Sequence, residues 1–264
     1  MLLAPIFISL FWAIALIGDK KKHSTPRLFL SKFMLLPLTC FIAHFLYFAP
    51  EHAIYHYFDF AYQYAGSLML PFYYIYFRLL TVDNKFSFKA HSRYLAIPIL
   101  IATTYCIGAI LTPRVEFKTW LFDEYAFPDS FSIQFLNVMR SVLKIHFLLQ
   151  LVTTIIGNQL LIHKYGIKTE QFYSDMEDEN YNNAKMLNFC IIIFSVVSIS
   201  VLALDFEFVM SKETMLTIMW PILSIIFFYI GYMGIKQKSI NPTFDLDINE
   251  DEPNQLEVLH IGSQ

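Results

Sequence analysis

The sequence predicts an all-α, polytopic membrane helix bundle with seven transmembrane helices, the N-terminus outside and the C-terminus in the cytoplasm. Three observations carry this. Hydrophobic residues make up 56% of the 264 and charged ones only 16%, with a mean hydropathy of +0.48, whereas a soluble domain carries about a quarter charged residues. The apolar residues fall in long blocks, not in short amphipathic runs. Lysine and arginine collect on alternate connections between those blocks.

With about 20 apolar residues needed per crossing, the blocks place spans at 2–18, 28–49, 58–81, 94–112, 135–162, 187–206 and 214–235. The first, MLLAPIFISLFWAIALIGDKKK, has no charge ahead of its apolar core and three lysines behind it. A secretory signal has the reverse arrangement, so this block reads as a retained first helix. The second follows STPRLFL and contains Pro37 and His44. The third is rich in Tyr and Phe and carries Asp59, Gln63 and Pro71. The fourth contains Pro98, and the fifth holds MRSVLKIHFLLQLV with Arg140, Lys144, His146 and Gln150. The sixth closes on Asp205 and Glu207, and the seventh contains Pro221. Prolines kink helices and are tolerated in membranes.

Orientation follows from the positive-inside rule. Lys20, Lys21, Lys22, Arg27, Lys85, Lys89, Arg93, Lys164, Lys168, Lys185, Lys236 and Lys238 fall on one side, and Arg114, Lys118 and Lys212 on the other. Residues 1–238 then form the transmembrane domain, placed in the inner membrane, with the lipid bilayer as the first partner. Residues 239–264 form a cytoplasmic tail that is acidic, with Asp245, Asp247, Glu250, Asp251, Glu252 and Glu257 and no Lys or Arg after Lys238. Such a segment is a solvated linker. It cannot grip nucleic acid, which needs positive charge.

Charged groups inside a bilayer cost about 2.5–3.5 kcal/mol on insertion scales and face a partner or a wet cavity. Counted at about 1.5 Å per residue from Phe135, Lys144 lies roughly 13 Å below the outer end of its helix. Arg140 and Lys144, four apart, share one face. His44, Asp59, Gln63 and Asp205 fall in the same outer half of the bundle. These six residues form a polar cluster with two readings: it fixes helix packing through pairs such as Lys144 with an aspartate, or it lines an outward-facing pocket for a small, anionic ligand. His52 and His56 in EHAIYH are four apart, but spacing supplies no third ligand for zinc. The sequence has no GxSxG, HExxH, glycine-rich phosphate loop or kinase signature, so neither an enzyme nor a cofactor is expected. Cys40, Cys106 and Cys190 all sit in apolar spans, as buried thiols and not as a disulfide framework.

The segments APIFISLFWAIAL with STPRLFL, MLPFYYIYFRLLTVDNKFSFKAHSRYLAIP, FYSDMEDE and FFYIGYMGIKQ resemble the membrane-embedded N-terminal half of AraC-type transcriptional regulators of Bacteroides-like bacteria. The resemblance covers residues 1–238. It implies a cytoplasmic linker followed by two helix-turn-helix units that bind DNA, and two-fold assembly fits such a reader. No stretch of these 264 residues combines a basic helix with that spacing, so DNA enters only through a continuation. A stand-alone small-solute transporter or receptor is the competing expectation, although the first and last three spans show no matched repeat of the kind many transporters carry.

Overall fold

The computed structural model describes residues 3–18, 25–48, 54–83, 85–123, 129–172, 179–203 and 212–236. Among them every regular element is a helix: α1 (Ala4–Gly18), α2 (Thr25–Phe48), α3 (Tyr55–Thr81), α4 (Phe88–Leu111), α5 (Arg114–Phe122), α6 (Phe131–Phe172), α7 (Glu179–Ala203) and α8 (Lys212–Lys236). The 239–264 tail lies outside the described residues.

Five segments, Thr25–Phe48, Phe88–Leu111, Phe131–Ile167, Tyr181–Ser200 and Thr217–Lys236, are long and apolar enough to cross a membrane. That is the signature of a multi-pass membrane protein. Their outward stripes agree with it. Val138, Ile145, Leu149, Val152, Ile156 and Leu160 recur along one exposed face of α6, an apolar surface that a water-soluble domain would cover.

Two of the seven expected spans behave differently, each for a physical reason. α1 is apolar but only 15 residues long, about 22 Å of helix against a hydrocarbon core of about 30 Å. α3 is 27 residues long and too polar to count by composition, because it is an interior helix. It packs on α2, α4, α6 and α7, so Asp59, Ser67, Tyr73, Tyr76 and Thr81 are buried by protein. A helix screened by its neighbours has no need of an all-apolar surface.

With α3 bridging α2 and α4, the helices close a ring. α1 packs on α2 and α8, α4 and α7 pack on α6, and α7 packs on α8. Direct polar ties lock the first turn of this ring: Ser31 Oγ donates to the carbonyl of Ala13 at 2.7 Å, and Arg27 Nε to that of Leu16 at 3.1 Å. Arg27, expected among the loop cations, is instead buried within α2 and satisfies a carbonyl in the last turn of α1, a group that a helix end leaves without an intrahelical partner. In the interior, Tyr73 Oη donates to the carbonyl of Leu187 at 2.7 Å, tying α3 to α7.

The boundaries shift in informative ways. α4 begins at Phe88, not near 94, and α7 at Glu179, not near 187, because polar turns extend both helices past their apolar runs. α6 has 42 residues, about 63 Å of helix, and so outruns a bilayer of about 40–45 Å with its head groups. α5 was not foreseen. Its Phe117, Trp120 and Leu121 are buried at i, i+3 and i+4, the stripe of an amphipathic helix. It lies over one end of the bundle, where Trp120 Nε1 donates to Asn137 Oδ1 of α6 at 2.7 Å and Ser130 Oγ to Glu116 Oε2 at 2.8 Å.

Candidate functional site

A cavity of about 510 Å³ opens at the α5 end, between α2, α3, α6, α7 and α8. Ligand pockets of small molecules span about 300–1,000 Å³. Its lining brings together His44, Asp59, Gln63, Arg140 and Lys144, five of the six residues picked out in sequence. Asp205, the sixth, lies outside the described residues, as does His52. Among the described residues no group of three or more His, Cys, Asp or Glu is placed to hold a metal ion, and Cys40, Cys106 and Cys190 are free and buried.

Asp59 is 1% exposed, and three neutral donors hold it. Tyr105 Oη of α4 donates to Oδ2 at 2.6 Å, Gln63 Nε2 to Oδ1 at 3.2 Å and Tyr55 Oη to Oδ1 at 3.3 Å. A buried carboxylate is tolerable only when its oxygens are satisfied in this way. Tyr55, Asp59 and Gln63 are successive i+4 positions on α3, so one helix face builds most of the cradle. The expected direct pairing of Asp59 with a cation is replaced by this hydrogen-bond cradle, within electrostatic reach of Arg140. Arg140 also stacks, its Cζ 4.0 Å from the centroid of the Trp120 ring. A guanidinium over indole is a favourable cation–π pair, and here it couples the α5 cap to the cavity wall.

Lys144 lines the same cavity with an exposed side chain, one turn further along α6. Among the described residues it meets no hydrogen-bond acceptor or carboxylate. Deeper along the helix, Gln150 is 8% exposed. Its Nε2 donates to the carbonyl of Ser67 at 3.1 Å and lies 2.9 Å from His146 Nε2, while its Oε1 has no partner among the described residues. The walls between these groups are apolar and aromatic, with Phe41, Phe147, Phe194, Trp220, Leu223 and Phe227. His44 joins this lining with its ring edge-on to Tyr62, centroids 5.1 Å apart.

No protein-family model matches this chain, and no curated protein matches it.

Sequence reasoning found the charges and missed their supports. The aromatic residues of α3 stood out in the sequence only as a richness in Tyr and Phe, yet Tyr55 and Tyr62 line the cavity. The i±4 spacing of Tyr55 and Gln63 about Asp59 was the available signal. Tyr105 and Trp120 come from other helices and had none. Gln150, noted only as a polar residue in an apolar run, proves to be the acceptor left open.

Proposed function

We propose that this bundle is the sensor half of a membrane-tethered transcriptional regulator of the AraC type, with the cavity as its ligand site. The observation that carries the sensor reading is the convergence of intramembrane polar groups from α2, α3 and α6 on one ligand-sized cavity. Chains place charge in a bilayer at a cost. Here that charge lines an open cavity.

In this reading α1 and α3 complete seven crossings, and the excess of Lys and Arg on alternate connections sets the N-terminus outside. The cavity then faces the outer side of the inner membrane. Ligand entry changes the packing of α6 and α7, and α6, which outruns the bilayer, carries the change to the cytoplasmic side. The AraC-type assignment rests on the resemblance of residues 1–238, and contact with DNA belongs to a helix-turn-helix continuation, read as a dimer. The test pairs two measurements. The mass of the native polypeptide, read with an antibody to residues 163–186, should exceed that of 264 residues by a DNA-binding module. Replacing Arg140 and Lys144 together by leucine should abolish ligand-dependent transcription, and unchanged transcription would reject the reading.

One observation favours the second reading, a small-solute transporter. Asn158 of α6 is fully buried with neither amide atom partnered, and Asn188 Oδ1 of α7 is also unpartnered, among the described residues. These amides continue polar character from the cavity toward the opposite end. Uptake by vesicles containing the purified protein, abolished by Asn158→Leu, would favour transport over sensing.

A further inference from the structure

The cavity's unmet valences constrain what it holds. Its charged lining among the described residues is Asp59, Arg140 and Lys144. Asp59 already accepts three hydrogen bonds, which leaves it a poor anchor for a cationic ligand. Arg140 lies on Trp120 and within the field of Asp59. Lys144 is the surplus: an ammonium with three donors and no described acceptor. Opposite in demand is Gln150 Oε1, an acceptor without a partner among the described residues, on a cavity-lining side chain more than nine-tenths buried. The two residues are six apart on α6, about 9 Å along the helix axis, and between them the lining holds His146 beside the apolar Phe147.

Resting on the ligand-site reading above, we infer that the cavity binds an anionic amphiphile: one acidic group set on Lys144, an apolar body against Phe147, Trp220 and Phe227, and a hydroxyl or N–H donor that meets Gln150 Oε1. A buried, unsatisfied polar atom rejects ligands that cannot pair with it far more strongly than a hydrophobic wall rejects a misfit, so Gln150 sets selectivity and Lys144 sets charge preference. Two sources offer this chemistry. One is a free hydroxy acid reaching the outer side, and the other is a lipid with an anionic, hydroxyl-bearing head group, such as phosphatidylglycerol.

The test uses the full chain in nanodiscs of phosphatidylcholine or of phosphatidylglycerol. It is titrated calorimetrically with ω-hydroxy fatty acids of increasing length, their methyl esters and their unhydroxylated parents. Saturable binding is expected, with the acid preferred over its ester by about ten- to a hundredfold, the scale of one charge-assisted hydrogen bond. Lys144→Met should erase that preference. Gln150→Leu should erase the advantage of the hydroxyl and spare that of the acid. Binding that persists in phosphatidylglycerol discs assigns the free acid, and binding displaced there assigns the lipid. If esters bind as well as acids, or Lys144→Met changes nothing, the ligand class is wrong while the cavity remains a site. If no probe binds in either disc although circular dichroism shows intact helices, both the ligand class and the ligand-site reading fall.

Discussion

The two ends of the bundle are built on opposite principles. At the α5 end, the cavity of about 510 Å³ is ringed by charges, amides and tyrosines. Towards the other end, between Phe33, Leu70, Tyr73, Ile226 and Ile230, lies a void of only about 10 Å³, the lower limit for a single water. There Gly231 and Gly234 let α8 approach so closely that an added Cβ would meet the Trp12 ring and the Leu30 side chain. Small residues at such crossings let helix backbones pack tightly in membranes. In the cavity lining on α3, by contrast, an added Cβ at Gly66 meets nothing within 4 Å, although at Gly108 of α4 it would meet the Phe135 ring. One end is packed to hold the ring together. The other is held open at the cost of its burial energy, as is usual where a protein keeps room for a guest.

That contrast can be broken in graded ways. The largest effect belongs to Asp59→Leu, which leaves two tyrosine hydroxyls and the Gln63 amide without their shared acceptor. It should cost about 3–5 kcal/mol, since each buried donor left unpaired costs about 1–3 kcal/mol, read as a fall in melting temperature in detergent; an unchanged melt would mean the cradle stabilises nothing. Gly231→Ala forces a Cβ into Trp12 and should cost about 1–3 kcal/mol through overpacking. Its counterpart at the open end, Gly66→Ala, should stabilise by up to about 1 kcal/mol, because alanine is the better helix former and its methyl enters open space. Equal effects of the two substitutions would erase the distinction between the ends.

The smallest effect lies at the α3–α4 corner. Arg78 grips Asp83 through Nε at 2.7 Å and Nη2 at 3.0 Å, and His91 Nε2 lies 3.1 Å from the same carboxylate. Burial raises the Asp83 carboxyl, but the hydrogen bonds and charges of Arg78 and His91 outweigh it and hold the group below the ordinary carboxylate range. A carboxyl lowered on folding stabilises fully above its unfolded value of about 4, and that contribution is lost as pH falls through the lowered value. The pair is partly exposed, so at most about 1 kcal/mol is at stake. The melting difference between the wild type and Asp83→Asn should be constant near neutrality and vanish in strong acid. A difference that grew on acidification would contradict the corner's role.

What the sequence disclosed follows the same divide. The helical, membrane-type bundle was legible because hydrocarbon imposes long apolar runs on every lipid-facing helix, as in α4 and α8. The polar cluster was legible because charge is conspicuous in such runs, and the cavity brings together five of the six residues chosen. Asp59's real partners were less visible, since Tyr105 reaches it from 46 residues away in sequence and no local period encodes that meeting. α5 was hidden by its shortness. Arg27 was misplaced among the loop cations because nothing in its neighbourhood announces the α1 carbonyl that it serves.

The most direct measurement is thiol accessibility from outside intact cells. In a background with Cys40, Cys106 and Cys190 replaced, Lys144→Cys and Ile230→Cys are each expressed and treated with a membrane-impermeant methanethiosulfonate. Rapid labelling of Lys144→Cys is expected without permeabilisation, and none of Ile230→Cys, which is buried at the packed end. Labelling of Lys144→Cys only after the membrane is opened, or not at all, would contradict an outward-facing cavity.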